Sequence, residues 1–422
     1  MNMHATPQRT PAEIAFVEAF DERISLLPGD SAVMLKRDDA IEQIKAGLPT
    51  RRIESWHYTD LRRLLATVPP HDPTANAKAV APLLKGSTVL ALLNGVATTK
   101  TPAIEGVVVK SLAEKLSDGS FAPALVSHGT DDAIGALNAA FVADGYFLDI
   151  EAGAILAAPV ELQNVQAGGQ THVRLPVRVG SGAKATIVER QTGSGNALVS
   201  SVSHLMLGDD AEIVWLIIQD QPESATHFGQ FNASLGKNSK LTLFVMNAGG
   251  RLVRQEVHVT AAGEGSAFTL RGINLLAGEA HTDVTMVLDH TVPETSSTEV
   301  IRNVVTGRSK GVFQGRINVA KYAQKTNAKM ACNTLLLSDD GEFSTKPELE
   351  IFADDVVCGH GATVTEIDRD HLFYLMARGI VEKTARGLLV KAFVAEVIEE
   401  LDDEPMVEAL EAMLDQWFAT HG

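Results

Sequence analysis

Glu212-Ile-Val-Trp-Leu-Ile-Ile218, followed after a polar interval by Lys240-Leu-Thr-Leu-Phe-Val245, sets the reading of this chain. Both are short runs of β-branched and large apolar residues bounded by glycine and polar turns, the texture of β-strands. Similar runs at Val107 to Val109, Ala185 to Val188 and Glu256 to Val259 extend it from about residue 86 to residue 365. They recur closely, without the helices of about 10–15 residues that βαβ units require, so an all-β core follows. Spacing alone leaves a sandwich, a barrel and a parallel β-helix open. Length favours the solenoid, because stacked coils let a core grow along one axis whereas about 280 residues exceed the usual sandwich. No strict repeat period is visible.

Outside this region the patterning is helical. Pro11 to Phe20 carries Ile14, Phe16, Val17 and Phe20, and Asp38 to Ala46 carries Ile41 and Ile44. Trp56 and Tyr58 read as a packing anchor, and Pro69, Pro70 and Pro73 lead to a boundary near residue 80. Beyond Asp368, a plausible N-cap, Leu372, Leu375 and Met376 open one helix, which pauses at Arg378-Gly379. Ala385, Leu388, Leu389, Ala392, Phe393 and Val397 then form an apolar stripe, and Met406, Leu410, Met413, Leu414 and Trp417 repeat it. Three units are expected: an N-terminal helical domain 1–85, a core 86–365 and a C-terminal helical domain 366–422. The C-terminal pair either packs on its own core or docks a partner.

Composition narrows the function. The 422 residues include 53 acidic and 36 basic side chains, a formal charge of −17 that opposes non-specific binding to nucleic acid or anionic membrane. Two cysteines are no disulfide framework. Met1 to Pro7 lacks the basic-then-apolar order of a signal peptide, and no apolar run approaches the roughly 20 residues that span a bilayer. A soluble cytoplasmic protein is expected. No phosphate-binding loop appears; Gly307-Arg-Ser-Lys-Gly311 has the wrong spacing, so the chain is not expected to hydrolyse ATP. Nucleophile elbows, His-Glu-x-x-His and Gly-x-Gly-x-x-Gly are also missing.

The chemistry concentrates in Ile351-Phe-Ala-Asp-Asp-Val-Val-Cys-Gly-His-Gly-Ala-Thr363. On an extended segment, residues two apart share a face, so Cys358 and His360 present sulfur and nitrogen side by side, with Asp354 in the same phase and Asp355 out of it. A thiol and an imidazole suit iron, zinc or copper, but they make at most half a site, and the one other cysteine, Cys332, reads as a core residue. The missing ligands must come from elsewhere. Gly359 and Gly361 leave the imidazole uncrowded, as a shared site requires.

Phe313-Gln-Gly315, Lys325-Thr-Asn-Ala328, Leu335-Leu-Leu-Ser338, Lys346-Pro-Glu-Leu-Glu350 and Cys358-Gly-His-Gly-Ala-Thr363 together resemble the SufB/SufD family. Leu372-Phe-Tyr-Leu-Met-Ala-Arg-Gly-Ile380, Ala385-Arg-Gly-Leu-Leu-Val-Lys-Ala-Phe393 and Trp56-His-Tyr-Thr-Asp-Leu61 are similar to its helical and aromatic motifs. Length and the Cys-x-His-Gly-Ala-Thr form resemble the branch that accompanies SufB. The resemblance implies a right-handed parallel β-helix flanked by helical domains, in a scaffold that assembles iron-sulfur clusters and acquires iron. It implies SufB bound through the β-helix, the SufC ATPase bound through the C-terminal helices, and a homodimer when the chain is isolated. His360 and Cys358 then belong to a transient cluster or iron site shared with SufB, and a reduced flavin is admitted in the complex. Leu372, Leu375, Arg378, Ala385, Leu388, Leu389 and Phe393 fall in the SufC-docking region. Two further readings stand beside it: a β-solenoid platform without metal chemistry, and a polysaccharide lyase or hydrolase using Asp354 and Asp355.

Overall fold

The computed structural model describes residues 9–72, 74–98 and 102–421; Pro73 and the first seven residues, read above, lie outside them. One chain winds two parallel sheets at once. Strand Glu212–Gln219 joins the first sheet, Thr226–Leu235 the second, Lys240–Asn247 the first again and Leu252–Ala261 the second. Repeated along the chain, this alternation gives sheets of ten and nine strands. Each strand of one sheet is therefore the crossover that the parallel strands of the other require. The fold is a parallel β-helix of about eight turns.

Successive turns stack in register: Glu212 lies beside Lys240, Lys240 beside Ala267, and Ala267 beside Ser296. From Asp144 onward a turn takes between 26 residues, as from Gln230 to Glu256, and 32, as from Lys310 to Glu342, whereas the first stacked neighbours, Thr88 and Val160, are separated by the inserted helices Leu112–Ser117 and Ala133–Phe141. The strands keep their register while the corners absorb the difference, which is why no fixed repeat can be read from the sequence.

Trp215 and Ile217 point into the solenoid, whereas Leu216 and Ile218 point outward, and all four are buried. Strands covered on both faces read as continuous apolar runs. Over the first sheet lie the C-terminal helices Glu382–Glu399 and Glu404–His421, whose Val394, Val397, Ile398, Leu410 and Leu414 meet Leu216, Phe244, Met246 and Ile273. Over the second lie Pro11–Arg23, Ser31–Ala46 and Ala133–Phe141, whose Phe16, Ile41, Leu137 and Phe141 meet Leu198, Val202 and Phe228. Trp56 is fully buried beneath the Arg254 guanidinium, 3.8 Å from its ring centre, and donates from Nε1 to the Asp131 carbonyl at 2.9 Å. Inside the solenoid a column of amides runs along the stack. Asn247 Nδ2 donates to Asn274 Oδ1 at 2.7 Å, Asn274 Nδ2 to Asn303 Oδ1 at 2.7 Å, and Asn303 Nδ2 to Thr334 Oγ1 at 3.0 Å.

Two expectations are corrected. The region read as uninterrupted β contains the helices Leu112–Ser117 and Ala133–Phe141. All nine residues of the latter are buried, so it has no polar face to create a helical period. The apolar stripe of Glu382–Glu399 is also rotated from its expected phase. Ala385, Val390, Val394, Val397 and Ile398 are buried, while Leu388 and Ala392 face solvent, because apolar residues surround the helix and leave its phase open.

Among the described residues no helix is long and apolar enough to cross a membrane.

Candidate functional site

The strand Val357–Thr365 ends the ten-stranded sheet and pairs on one side with Asn327–Leu336. Its partner in the last turn, Glu342–Ile351, ends the other sheet. Inward-facing positions of this turn have no further turn to cover them, so the solenoid ends open. Cys358 stands opposite Ala328, His360 opposite Met330 and Ala362 opposite Cys332, all in the phase that faces inward one turn earlier.

Alternation on this strand brings Cys358 and His360 to one face. Cys358 is half-buried against the core, and burial pushes its thiol pKa up, partly offset by a hydrogen bond from the Ala328 backbone. The thiol is therefore protonated at neutral pH and must release its proton to bind a metal. His360 is exposed. A Cβ added at Gly359 or Gly361 would meet nothing within 4 Å, so another backbone has room to approach.

Asp354 does not join this face. The strand begins at Val357, and Asp354 and Asp355 sit exposed in the corner before it, where the Asp355 N–H donates to Gln324 Oε1 at 2.9 Å. The β phase does not extend back across the bend at Asp354 and Asp355. Cys332 is buried, its sulfur accepts from Asn303 Nδ2 at 3.3 Å, and burial pushes its thiol up to about 11, which makes it inert. Among the described residues no group of three His, Cys, Asp or Glu side chains is arranged to hold a metal. Cys358 and His360 can supply half of a ligand set and no more.

One rung and two rungs behind His360 in the same inward column are Met330 and Glu299. Glu299 is fully buried and neither carboxylate oxygen meets a hydrogen-bond donor. Burial pushes its pKa up to about 8, and Ser297 and the Arg271 charge offset this only in part. Sequence reasoning missed it, although a lone acid in the inward phase of Ser297, Glu299 and Ile301 was a visible signal.

After the strand, Asp368 caps the helix Arg369–Ala377 through the backbone N–H groups of Asp370 and His371, as expected. Of the seven side chains named for partner docking, Ala385 is buried and Leu372, Leu389 and Phe393 lean on the sheet. Leu375 is half-buried, and Arg378 and Leu388 are exposed. Phe373, Tyr374 and Val381, exposed by 72%, 56% and 74%, were not among those named, and Met376 and Leu388 are also exposed; Arg378 lies over the Tyr374 ring at 4.9 Å. A cleft of about 800 Å³, lined by Val364, Thr365, Leu389 and Phe393 among others, separates helix Glu382–Glu399 from the terminal strand.

Comparison with known proteins adds independent findings. A family model described as SUF system FeS cluster assembly, SufBD core domain, matches residues 162–393, and one for the SufBD protein N-terminal region matches residues 11–162. The iron-sulfur cluster assembly protein SufD of Escherichia coli is 26% identical over 388 residues, covering 88% of this chain and 90% of that protein. An iron-sulfur cluster assembly SufBD family protein of Synechocystis is 30% identical over 281 residues, covering 63% of this chain and 62% of its own length. A chloroplastic protein of Arabidopsis thaliana is 26% identical over 424 residues, covering 92% and 87%.

Proposed function

The chain belongs to the SufBD family of SUF-system iron-sulfur cluster assembly proteins, and from that membership we propose that it is the SufD-type, non-ATPase subunit of a cytoplasmic scaffold. It lends His360 and Cys358 to a nascent cluster or iron completed by a SufB subunit. The observation that carries this reading is the half-set of soft donors on one face of a strand whose outer edge is unpaired. A second β-solenoid pairing there would bring the missing ligands, and the cluster is cargo that forms between the two. Residues 1–85, 86–365 and 366–422 serve as cover, scaffold and docking unit.

The C-terminal helices, from Asp368 to Leu401, dock the SufC ATPase. Arg378 and the exposed large apolar side chains of Phe373, Tyr374, Val381 and Leu388 support this reading, since exposed apolar groups on these helices are available to a partner. Closure of SufC on ATP pulls these helices, shears the contact between the two solenoids and exposes Cys358 and His360 to iron and sulfide. Such coupling requires SufC to bind the open and closed states with different affinity.

The test is to purify the complex with SufB and SufC, reconstitute it anaerobically with iron and sulfide, and compare it with His360→Ala by absorption and Mössbauer spectroscopy. A cluster weakened in the variant, with SufC still bound, is the expected outcome. An identical cluster in both would mean that SufB holds the metal alone.

A further inference from the structure

Helix Glu382–Glu399 and its C-terminal residue Glu400 are tied to the first sheet by two arginines as well as by apolar packing. Arg271 pairs with Glu400, and Arg302 pairs with Glu396 while lying over the Phe393 ring at 5.0 Å. Arg302 faces outward, and its register neighbours on the next two strands are Asn333 and Thr363. Polar contacts follow that register without a break. One guanidinium nitrogen, Nη2, donates to Glu396 Oε2, the other, Nη1, donates to Asn333 Oδ1, and Asn333 Nδ2 donates to Thr363 Oγ1 at 2.7 Å. Thr363 is on the strand of Cys358 and His360, in the opposite phase, so it grips the outer flank of the element whose inner flank carries the thiol and the imidazole. The chain of contacts spans from helix to strand beside the cleft that keeps their apolar side chains apart.

Building on the function proposed above, we infer that Arg302 is a positioning residue that couples the C-terminal helices to the strand of Cys358 and His360, through Glu396 on one side and Asn333 and Thr363 on the other. The side-chain chemistry fits a link that makes and breaks. Glu396 is 61% exposed, so its ion pair is weak and gives way readily when the helix moves, whereas Arg302 is only 14% exposed and stays on the sheet. A planar fork holds two acceptors in fixed, divergent directions, whereas a lysine ammonium in its place is a compact point charge that does not fix that geometry. When the helix carries Glu396 away, Arg302 keeps Asn333 but loses the contact that fixes its plane. The hold on Thr363 slackens, and the flank bearing Cys358 is freed.

The test uses the isolated full-length chain and reads the rate at which iodoacetamide alkylates Cys358, by peptide mass spectrometry, with buried Cys332 as the internal reference. Glu396→Ala, at an exposed helix position, keeps the fold, so its effect reports coupling and not unfolding. Glu396→Ala, Arg302→Lys and Thr363→Val should each raise the Cys358 rate at least roughly twofold, the scale expected of coupled neighbours. Thr363→Ser, which restores the hydroxyl, should match the parent chain. The Glu396→Ala, Thr363→Val double variant should label no faster than the faster single one, because a chain broken once transmits nothing more. Parent-like rates in all variants, or rates that multiply in the double variant, would overturn the inference. No partner is needed, so a failure here is separate from a failure of the His360→Ala reconstitution.

Discussion

At Glu299 a carboxyl group stands between Leu270 and Met330 in the solenoid interior with no donor for either oxygen, while at Arg254 a buried charge is matched on all sides. Burial alone would push Glu256 up, yet Arg254 and His258 draw it down to about 2. Glu299 has only the weaker help of Ser297 and the Arg271 charge, and burial pushes it up to about 8. The unfolded chain loses this proton near pH 4.5 and the folded chain keeps it to about pH 8, so between these values the unfolded state binds fewer protons and stability falls as pH rises. The slope from this one group is about 1.4 kcal/mol per pH unit. Glu299→Gln should flatten the dependence of the denaturation midpoint on pH across this window and leave the chain more stable at pH 8; a variant with the parental slope would mean Glu299 ionises in the fold. At this scale the sequence shows what lies within one strand. Cys358 and His360 share a face because they are two residues apart, but Arg302, Asn333 and Thr363 meet only through the register of successive turns, which no local pattern reveals.

The strands are held together by more than their backbone ladders. In the amide column, Asn274 accepts from Asn247 and donates to Asn303, so it links both neighbours. Asn274→Leu, similar in size, should leave one buried donor and one buried acceptor unpaired and cost roughly 2–6 kcal/mol, at about 1–3 for each orphaned group. Urea unfolding measures this, and a loss under about 1 kcal/mol would mean that the column relaxes around the gap. Element type was legible wherever one face differs from the other. Pro11–Arg23, with Thr10 and Glu13 closing a capping box, and Arg369–Ala377, with Asp368 as its cap, both carry end signals in the sequence. Ala133–Phe141 carried no contrast between faces because it is buried all round, and the stripe of Glu382–Glu399 was ambiguous in phase because apolar residues such as Leu388 and Ala392 also occupy its solvent face. The thirteen-residue motif around Cys358 showed the chemistry but not where its strand begins, since the bend at Asp354 and Asp355 depends on how the corner packs on the turn before it.

Over the whole molecule, protection should decline toward the open end. Strands Glu342–Ile351 and Val357–Thr365 are half-buried or exposed, while Leu252–Ala261 lies buried in the middle of the stack with neighbours on both sides. Amides of the last turn should exchange with solvent at least roughly ten times faster than those of Leu252–Ala261, because local opening there exposes little apolar surface. Equal protection would mean that the stack opens as a single unit. That the core is mainly β was legible from texture alone, although the two helices Leu112–Ser117 and Ala133–Phe141 inside it were not. Its closure into a solenoid, which the structure bears out, came from length and from the family resemblance and not from texture, because corners of unequal length hide a repeat that only the strand register preserves. The two ends of the stack also differ. At the start each sheet closes on a short antiparallel strand, Val96–Ala97 or Val107–Ser111, whereas at the finish both sheets stop on parallel strands with a free edge. A rod blocked at one end and adhesive at the other behaves like a monomer in a polymerisation that carries its own terminator. Joining a second such rod finish to finish consumes both sticky edges, so the assembly stops at a pair, and this β-rich protein can display open sheet edges without seeding a fibre.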